Sequence, residues 1–323
     1  MQAINEAVDV IDWRIDEEFA QYPEGARDKT LIYCPLPSPY NFLKADRRYL
    51  FKLSSHRYAE QFWVEIFAYR LGVQMGISVP PAFVAYNSKT NQSAALIEWY
   101  LNRDGLLTRE TSISGGDYCR QYIPDFDLKK GTQHNFETLE QIFTDLSKNH
   151  SEIHETWKTY WAKTLAFDAL IGNTDRHQNN WCIIHREIQP PEGVYSDGMR
   201  FAPVFDNGTS LGHERLPASF QYDDESKQLD KYISKGQHHM KWRLSDDSKA
   251  GHLELVKNLA HKYPETRQVM LDCLKRVNNE SFNGILNELV AFEVPQRLTG
   301  ARAALMFELL KRRHQRLLNG LEN

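Results

Sequence analysis

The chain has 323 residues, 41% of them hydrophobic and 25% charged, a composition typical of a soluble globular protein with one bilobal domain or two ordinary domains. Its formal net charge of −4 gives no basic excess that would point to nucleic acid, and no apolar run approaches the ~18 residues of a membrane span. Four scattered cysteines without a CxxC pair argue against zinc and redox motifs and, with no visible signal peptide, predict a cytoplasmic protein, although secretion as an effector stays open.

The first hundred residues are predicted to form a β-rich lobe with one helix. Strands are predicted where β-branched and aromatic residues cluster between turn-forming residues, over 30–34, 48–53, 79–86 and 93–99. A helix is predicted over residues 57–75, because apolar side chains recur there at helical spacing and Gly76 then ends the pattern. We therefore expect a small N-lobe comprising residues 1–101.

The character of the sequence changes after this point. Residues 102–135 are polar and rich in turn formers, and no regular element is predicted there. Helical patterns then dominate, over residues 136–148, 154–170, 249–262, 264–276 and 300–321. A short strand-like run at residues 181–184 interrupts them. Residues 102–323 are therefore expected to form a larger, mainly helical C-lobe.

Two polar segments of the C-lobe predict phosphoryl-transfer chemistry. In residues 173–181 (NTDRHQNNW), Asp175 precedes Asn180 by five positions, and in residues 205–212 (FDNGTSLG), Asp206 is followed by Asn-Gly. Protein kinases use a catalytic Asp, an Asn five residues later and a downstream Asp-x-Gly. The first Asp orients an attacking hydroxyl and accepts its proton, while the other two residues supply hard oxygen ligands to Mg²⁺. Either segment alone could be a polar turn, but the two in this order favour phosphotransfer.

The same chemistry requires a strand lysine for the phosphates of ATP and a helix glutamate that holds the lysine. Lys52 lies on the strand at 48–53 and Glu65 on the helix at 57–75, with Glu60 as a second candidate partner. The alternative for Lys52 is a solvated side chain at the end of a strand.

The remaining nucleotide contacts are predicted from position. The loop from Gly25 to Lys29 could cover the phosphates or be a surface turn, since neither GxxxxGK[ST] nor GxGxxG occurs. The adenine edge would meet backbone groups where the two lobes join, at Glu98, Trp99 and Tyr100.

These segments together resemble the HipA-like kinases, which are related in fold to the phosphatidylinositol kinases. The resemblance is carried by NTDRHQNNW, FDNGTSLG, the loop GARDK, the strand YLFK and the helix VEIFAYRLGVQMGISVP, and it spans roughly residues 25–212. It implies an α+β, bilobal protein-kinase-like fold and an ATP- and Mg²⁺-dependent kinase that phosphorylates serine or threonine in a protein substrate.

The resemblance also implies roles for individual residues. Asp175 would be the catalytic base, His177 would lie near the transferred phosphate, and Asn180 and Asp206 would bind Mg²⁺. Lys52 would bind the phosphates of ATP. Toxin members of the family carry a serine in the phosphate loop that controls activity by autophosphorylation. No serine precedes Gly25 in the loop of this chain, so that control is not expected here.

Other interpretations stay open. The string Asp-Arg-His-x-x-Asn also matches lipid kinases, so a lipid or small-molecule kinase is one alternative, and a non-catalytic nucleotide-binding effector module is another. His238 and His239 are predicted either to contact an acidic or phosphate-bearing substrate or to belong to a polar loop. A basic run at residues 311–316 is predicted to be solvated. A role as toxin, effector or housekeeping enzyme and the oligomeric state do not follow from the sequence.

Overall fold

A computed structural model describes residues 2–3, 6–17, 27–101, 108–188, 196–219 and 225–323. Its N-lobe contains a six-stranded sheet in the order β1-β5-β6-β4-β3-β2, antiparallel except for the parallel pair β1 and β5. Its strands are β1 Val8–Asp9, β2 Arg14–Ile15, β3 Lys29–Tyr33, β4 Arg48–Leu53, β5 Ala82–Asn87 and β6 Gln92–Glu98. The four strands predicted in this lobe all form, with ends shifted by three residues at most, and β1 and β2 were not predicted because two-residue strands leave no pattern.

Helix α1 (Phe62–Met75) packs against the β5–β6 side of this sheet. It is buried on almost every face, so Glu65 within it is only 3% exposed. The helix ends at Gly76, whose φ of 69° lies in the left-handed region where a side chain is unfavourable. It starts five residues later than predicted, because residues 57–61 form turns.

A second, three-stranded antiparallel sheet lies next to the predicted site. The segment of Asp175 precedes one of its strands, and the segment of Asp206 follows another. Its strands are β7 Thr108–Ser114, β8 Cys182–Ile188 and β9 Ser196–Phe201, with β8 in the middle. Helix α2 (Gly115–Tyr122) follows β7 directly. The prediction of no regular element over residues 102–135 was therefore wrong for β7 and α2. The helix begins with two poor helix formers because a Cβ on Gly115 would lie 2.0 Å from the Trp181 ring.

Helices dominate the rest of the described chain. They are α3 Phe136–Leu146, α4 Ser151–Ile171, α5 Glu225–Lys235, α6 His252–Lys262, α7 Glu265–Lys275, α8 Asn279–Val290 and α9 Gly300–Glu322. The long helix α4 lies at the centre and packs against α3, α6, α7, α9 and β9. Helices α5 and α8 were not predicted. A β-rich N-lobe and a mainly helical C-lobe confirm the α+β class.

The C-terminal brace, residues 288–302, connects α8 and α9 to the N-lobe. Trp63 Nε1 of α1 donates to Gln296 O at 3.0 Å, and the Gln296 side-chain Oε1 accepts from Ser93 N at 2.5 Å. Arg70, also on α1, pairs with Glu288 of α8. Helix α1 is thus fixed between the sheet and the C-lobe. None of the helices in the described part of the chain combines the length and apolarity needed to cross a membrane.

Candidate active site

An ion cluster joins the two lobes at the cleft. Lys52 Nζ lies 2.8 Å from Glu65 Oε1 and 2.7 Å from Asp206 Oδ1, so β4, α1 and the segment after β9 converge on one cation. Lys52 is only 5% exposed, which excludes a solvated side chain at a strand end. Glu60 faces elsewhere, with Oε2 lying 3.5 Å from Arg302 Nε. The structure therefore pairs Lys52 with Glu65 and not with Glu60.

The cations of the cluster keep both carboxylates ionised. Burial alone would raise the pKa of Glu65 and of Asp206, but Lys52 and Arg27 lower both pKa values below their usual range. Asp206 has a left-handed backbone, with φ of 55°, and the adjacent Asn207 N donates to Glu65 Oε2 at 2.9 Å. This bond from the N-lobe holds the strained turn in place.

The loop that follows α4 presents Asp175 to the same cleft. Helix α4 ends at Gly172, where φ is 67°. Asp175 N then donates to the Asn173 side chain at 2.9 Å, and Asn180 Nδ2 donates back to Asp175 O at 2.5 Å. These two bonds close the loop, so Asp175 and Asn180 are held at fixed positions although they are five residues apart.

The Asp175 carboxylate is half-buried, and its environment favours proton uptake. Burial raises the pKa of Asp175, the nearby His177 opposes this, and the Asp206 carboxylate raises the pKa further. His177 is also half-buried, accepts from Asn179 N at its Nδ1 and lies 5.8 Å from the ring of His239. A carboxylate with a raised pKa beside an open cleft is suited to act as a general base.

Arg176, to which the sequence analysis assigned no role, ties the site together. It is fully buried and donates to both Asp168 carboxylate oxygens, at 3.0 and 2.8 Å. It also donates to Asn207 Oδ1 at 2.6 Å, to Asn180 O at 3.2 Å and to Phe205 O. One guanidinium thus connects α4, the loop that carries Asp175 and the segment around Asp206. The sequence held one signal of this arrangement, because Asp168 is a carboxylate within an apolar helical run.

His238 and His239 take different positions. His238 is 1% exposed and its Nε2 lies 3.2 Å from Asp168 Oδ2, so the interpretation that it contacts a substrate is wrong. His239 is half-buried near His177, and burial lowers the pKa of His239 to about 3. Of the two histidines, only His239 lies near His177 and the loop that carries Asp175.

Lys44 and Arg47 hold the connection between the lobes. Glu98 Oε1 lies 2.7 Å from Lys44 Nζ and 3.3 Å from Arg47 Nε, and Trp99 O accepts from Arg47 Nη2 at 3.0 Å. The Glu98 carboxylate therefore serves to fix this connection. Contact of backbone groups of this segment with adenine stays a prediction.

Tyr100 links this connection to the ion cluster. Its ring stacks on Phe205 with centroids 5.1 Å apart, and Phe205 immediately precedes Asp206. Tyr100 O accepts from Arg200 Nη2 of β9 at 3.3 Å. The predicted adenine-binding segment is thus in direct contact with the segment that carries the predicted metal ligand.

The predicted phosphate loop is described only in part. Gly25 lies outside the described residues. Lys29 is the cross-strand neighbour of Lys52 in the β3–β4 register, and its positive charge contributes to the low pKa of Asp206. Two lysines on adjacent strands therefore both act electrostatically on the Asp206 carboxylate.

The residues present fit a bound Mg²⁺. Asn180 Nδ2 is used in the bond to Asp175 O, which leaves its Oδ1 as the atom able to bind a metal, and the Asp206 side chain is 34% exposed toward the cleft. One carboxylate and one amide oxygen suffice, because Mg²⁺ is commonly held by one or two carboxylates together with substrate phosphates. Asn180 and Asp206 are thus the residues that would hold it.

Comparisons with known proteins show the family and the fold of this chain. A family model for the HipA-like C-terminal domain matches residues 23–281. The Helicobacter pylori proinflammatory kinase CtkA has a similar structure, with a TM-score of 0.71 and 16% identity over 98% of this chain and 96% of that one. A chain in the complex of the Shewanella oneidensis MR-1 toxin–antitoxin system HipA and HipB with operator DNA gives a TM-score of 0.51 and 14% identity, over 98% and 74%. A comparison with curated proteins finds no match. The two structural similarities confirm the kinase-like fold.

Proposed function

The chain belongs to the family of HipA-like C-terminal domains, and from this we propose that it is an ATP- and Mg²⁺-dependent kinase that phosphorylates serine or threonine in a protein. The observation that carries the proposal is the ion cluster, in which Lys52 bonds both Glu65 and Asp206 beside the loop of Asp175. Phosphoryl transfer needs positioned cations and a base more than covalent chemistry, and this cleft supplies both.

Each residue has a distinct task in this proposal. Lys52, oriented by Glu65, contacts the phosphates of ATP, and Asp175 orients the attacking hydroxyl and accepts its proton. The raised pKa of Asp175 favours this proton transfer, because burial and the charge of Asp206 outweigh the opposing effect of His177. Mg²⁺, when bound by Asn180 and Asp206, would neutralise charge on the transferred phosphoryl group.

The test is transfer of label from γ-labelled ATP in the presence of Mg²⁺, to the protein itself and to proteins of a cell lysate. We expect Asp175→Asn and Asp206→Asn each to reduce transfer by about 100-fold or more, since each removes a group that acts directly on the reacting atoms. Asp145→Asn is the matched control, because Asp145 is a solvent-exposed carboxylate paired only with Lys148 and Tyr122. It should retain full activity.

Two results would contradict the proposal. Label that appears in lipid or in a small molecule, and not in protein, would replace the acceptor with one of the alternative classes. Binding of ATP without any transfer by the wild-type protein, in the presence of every acceptor tried, would favour a non-catalytic nucleotide-binding module.

A further inference from the structure

Arg27 shares the two carboxylate oxygens that Lys52 binds. Arg27 Nη2 lies 2.6 Å from Glu65 Oε1 and 3.2 Å from Asp206 Oδ1, and its side chain is 9% exposed. Two cations and two carboxylates therefore alternate in one buried cluster, and their formal charges cancel. Lys52 is required there by the kinase-like site, whereas nothing in that chemistry requires the arginine.

The turn after Asp206 leaves space for this guanidinium. A Cβ on Gly208 would lie 2.4 Å from Arg27 Nη2, so a side chain at this position would require the guanidinium to shift. Arg27 Nη1 is buried and has no hydrogen-bond partner among the described residues. Buried donors without a partner are rare in folded proteins, and one at a candidate phosphate site marks a group that a ligand can satisfy.

The position of Arg27 conflicts with metal binding by Asp206. Asp206 Oδ1 already accepts from both Lys52 and Arg27. A divalent cation at this carboxylate would stand within a few ångströms of the guanidinium, in a partly buried site where repulsion between like charges is strong. A metal at Asp206 would therefore be held more weakly while Arg27 stays in the cluster.

Phosphate offers Arg27 an alternative partner. A guanidinium binds phosphate oxygens through two parallel hydrogen bonds, and Nη1 is the donor that the cluster leaves unused. Arg27 lies two residues before β3 begins, next to Lys29 and Lys52 at the predicted phosphate site. A change of side-chain rotamer could transfer its charge from the carboxylates to a phosphate.

We propose that Arg27 is a displaceable occupant of the metal side of the cleft. In the nucleotide-free protein it keeps divalent cations away from Asp206. It leaves the cluster when its guanidinium binds the phosphates of a nucleotide. Arg27 is thus a positioning residue that makes metal binding depend on nucleotide binding. The role toward nucleotide rests on the proposed function, whereas the blocking of the metal site does not.

The first experiment titrates Mn²⁺ into nucleotide-free protein and follows free Mn²⁺ by electron paramagnetic resonance. Arg27→Met removes the charge and the donors but keeps a side chain of similar length. We expect it to bind Mn²⁺ about tenfold or more tightly than wild type, because one positive charge beside the metal has gone. Arg27→Met combined with Asp206→Asn should lose this gain. Arg70→Met is the matched control, since it removes a buried arginine paired with Glu288 outside the cleft.

The second experiment measures nucleotide binding by calorimetry in the presence of EDTA. Arg27→Met should weaken the binding of ATP about tenfold and leave the binding of adenosine unchanged, since only ATP carries phosphates for the guanidinium. If Arg27→Met does not fold, Arg27→Gln replaces it, because glutamine removes the charge and keeps a donor.

The outcomes separate this inference from the proposed function. Equal Mn²⁺ affinity in wild type and the Arg27 variant, with Arg70→Met also unchanged, would overturn the inference whether or not the protein is a kinase. Tighter Mn²⁺ binding in a protein that transfers no phosphate would uphold the blocked metal site and reject the kinase activity.

Discussion

Asp175 and Arg176 are neighbours in the chain with opposite environments. Asp175 faces the cleft and its pKa is raised by burial and by Asp206, whereas Arg176 is fully buried against Asp168. The sequence identified the first because its spacing to Asn180 is a motif. It did not identify the second, because the partners of Arg176 come from three segments and no local pattern brings them together.

The pH dependence of activity should respond to His177. The interaction with His177 lowers the pKa of Asp175 against the burial that raises it, so His177→Gln should raise this pKa further. Because the base must be unprotonated, we expect the acid limb of kcat/KM to move to higher pH in the variant. His261→Gln, an exposed histidine on α6, is the control and should leave the limb in place. An acid limb that does not move, or moves to lower pH, would contradict the role of Asp175 as base.

Among the elements, those with strong local periodicity were predicted well. Helices α4 and α9 were predicted to within a few residues at each end, since long stretches of apolar residues at helical spacing are reliable signals. Strand β7 was missed because its sequence TRETSIS alternates weakly and it pairs with β8, some 70 residues later. The basic run on α9 was expected in solvent, yet Arg313 is 5% exposed and packs over Gly172 at the end of α4.

Gly172 lies between α4 and the loop that carries Asp175, and we expect it to be intolerant of a side chain. Its φ is 67°, and a Cβ would lie 2.4 Å from Arg313 Cζ, so Gly172→Ala combines backbone strain with a steric clash. It should lower the free energy of unfolding by about 1–3 kcal/mol, measured by urea denaturation.

Gly284 provides the opposite control. It lies within α8, and a methyl group on its Cα would have nothing within 4 Å, so Gly284→Ala should raise the free energy of unfolding by up to about 1 kcal/mol. If both substitutions changed stability in the same direction, the conformational argument for Gly172 would be wrong.

The whole molecule depends on contacts between distant parts of the chain. The C-terminal brace contacts α1 and the start of β6, although more than 200 residues separate them. It also lies beyond residue 281, where the family match ends. Sequence patterns predicted the two lobes and most of the cleft, but not this connection, because contacts of such separation leave no trace in local composition. Nor did they predict that Arg27 would share the cluster.

Acid should destabilise the whole protein before its carboxylates are protonated. Burial, with neighbouring positive charges, lowers the pKa of His134 and lowers that of His252 to about 3. Between the unfolded value of about 6.5 and these folded values, the unfolded chain binds protons that the folded protein does not, so stability falls as pH falls. Each histidine should lower the free energy of unfolding by up to about 1.4 kcal/mol for each pH unit below about 6.5.

Urea unfolding at pH 7.5 and 5.5 measures this loss. Replacing both histidines by glutamine should make the free energy of unfolding less dependent on pH, because glutamine can accept from Trp181 Nε1 and donate to Asn173 O without titrating. A pH dependence as steep as that of wild type would show that other groups cause the acid instability.

The C-terminal brace also determines when helix α1 can acquire its final packing contacts during synthesis. Helix α1 carries Glu65 and leaves the ribosome early, but its partners Glu288, Phe292 and Gln296 are translated more than 200 residues later. Until then the aromatic face of the helix has no C-lobe surface to cover it. Helix α1, and with it Glu65, therefore acquires its last packing contacts only near the end of translation, so the proposed phosphotransfer should appear in a ribosome-bound chain only when it is almost finished.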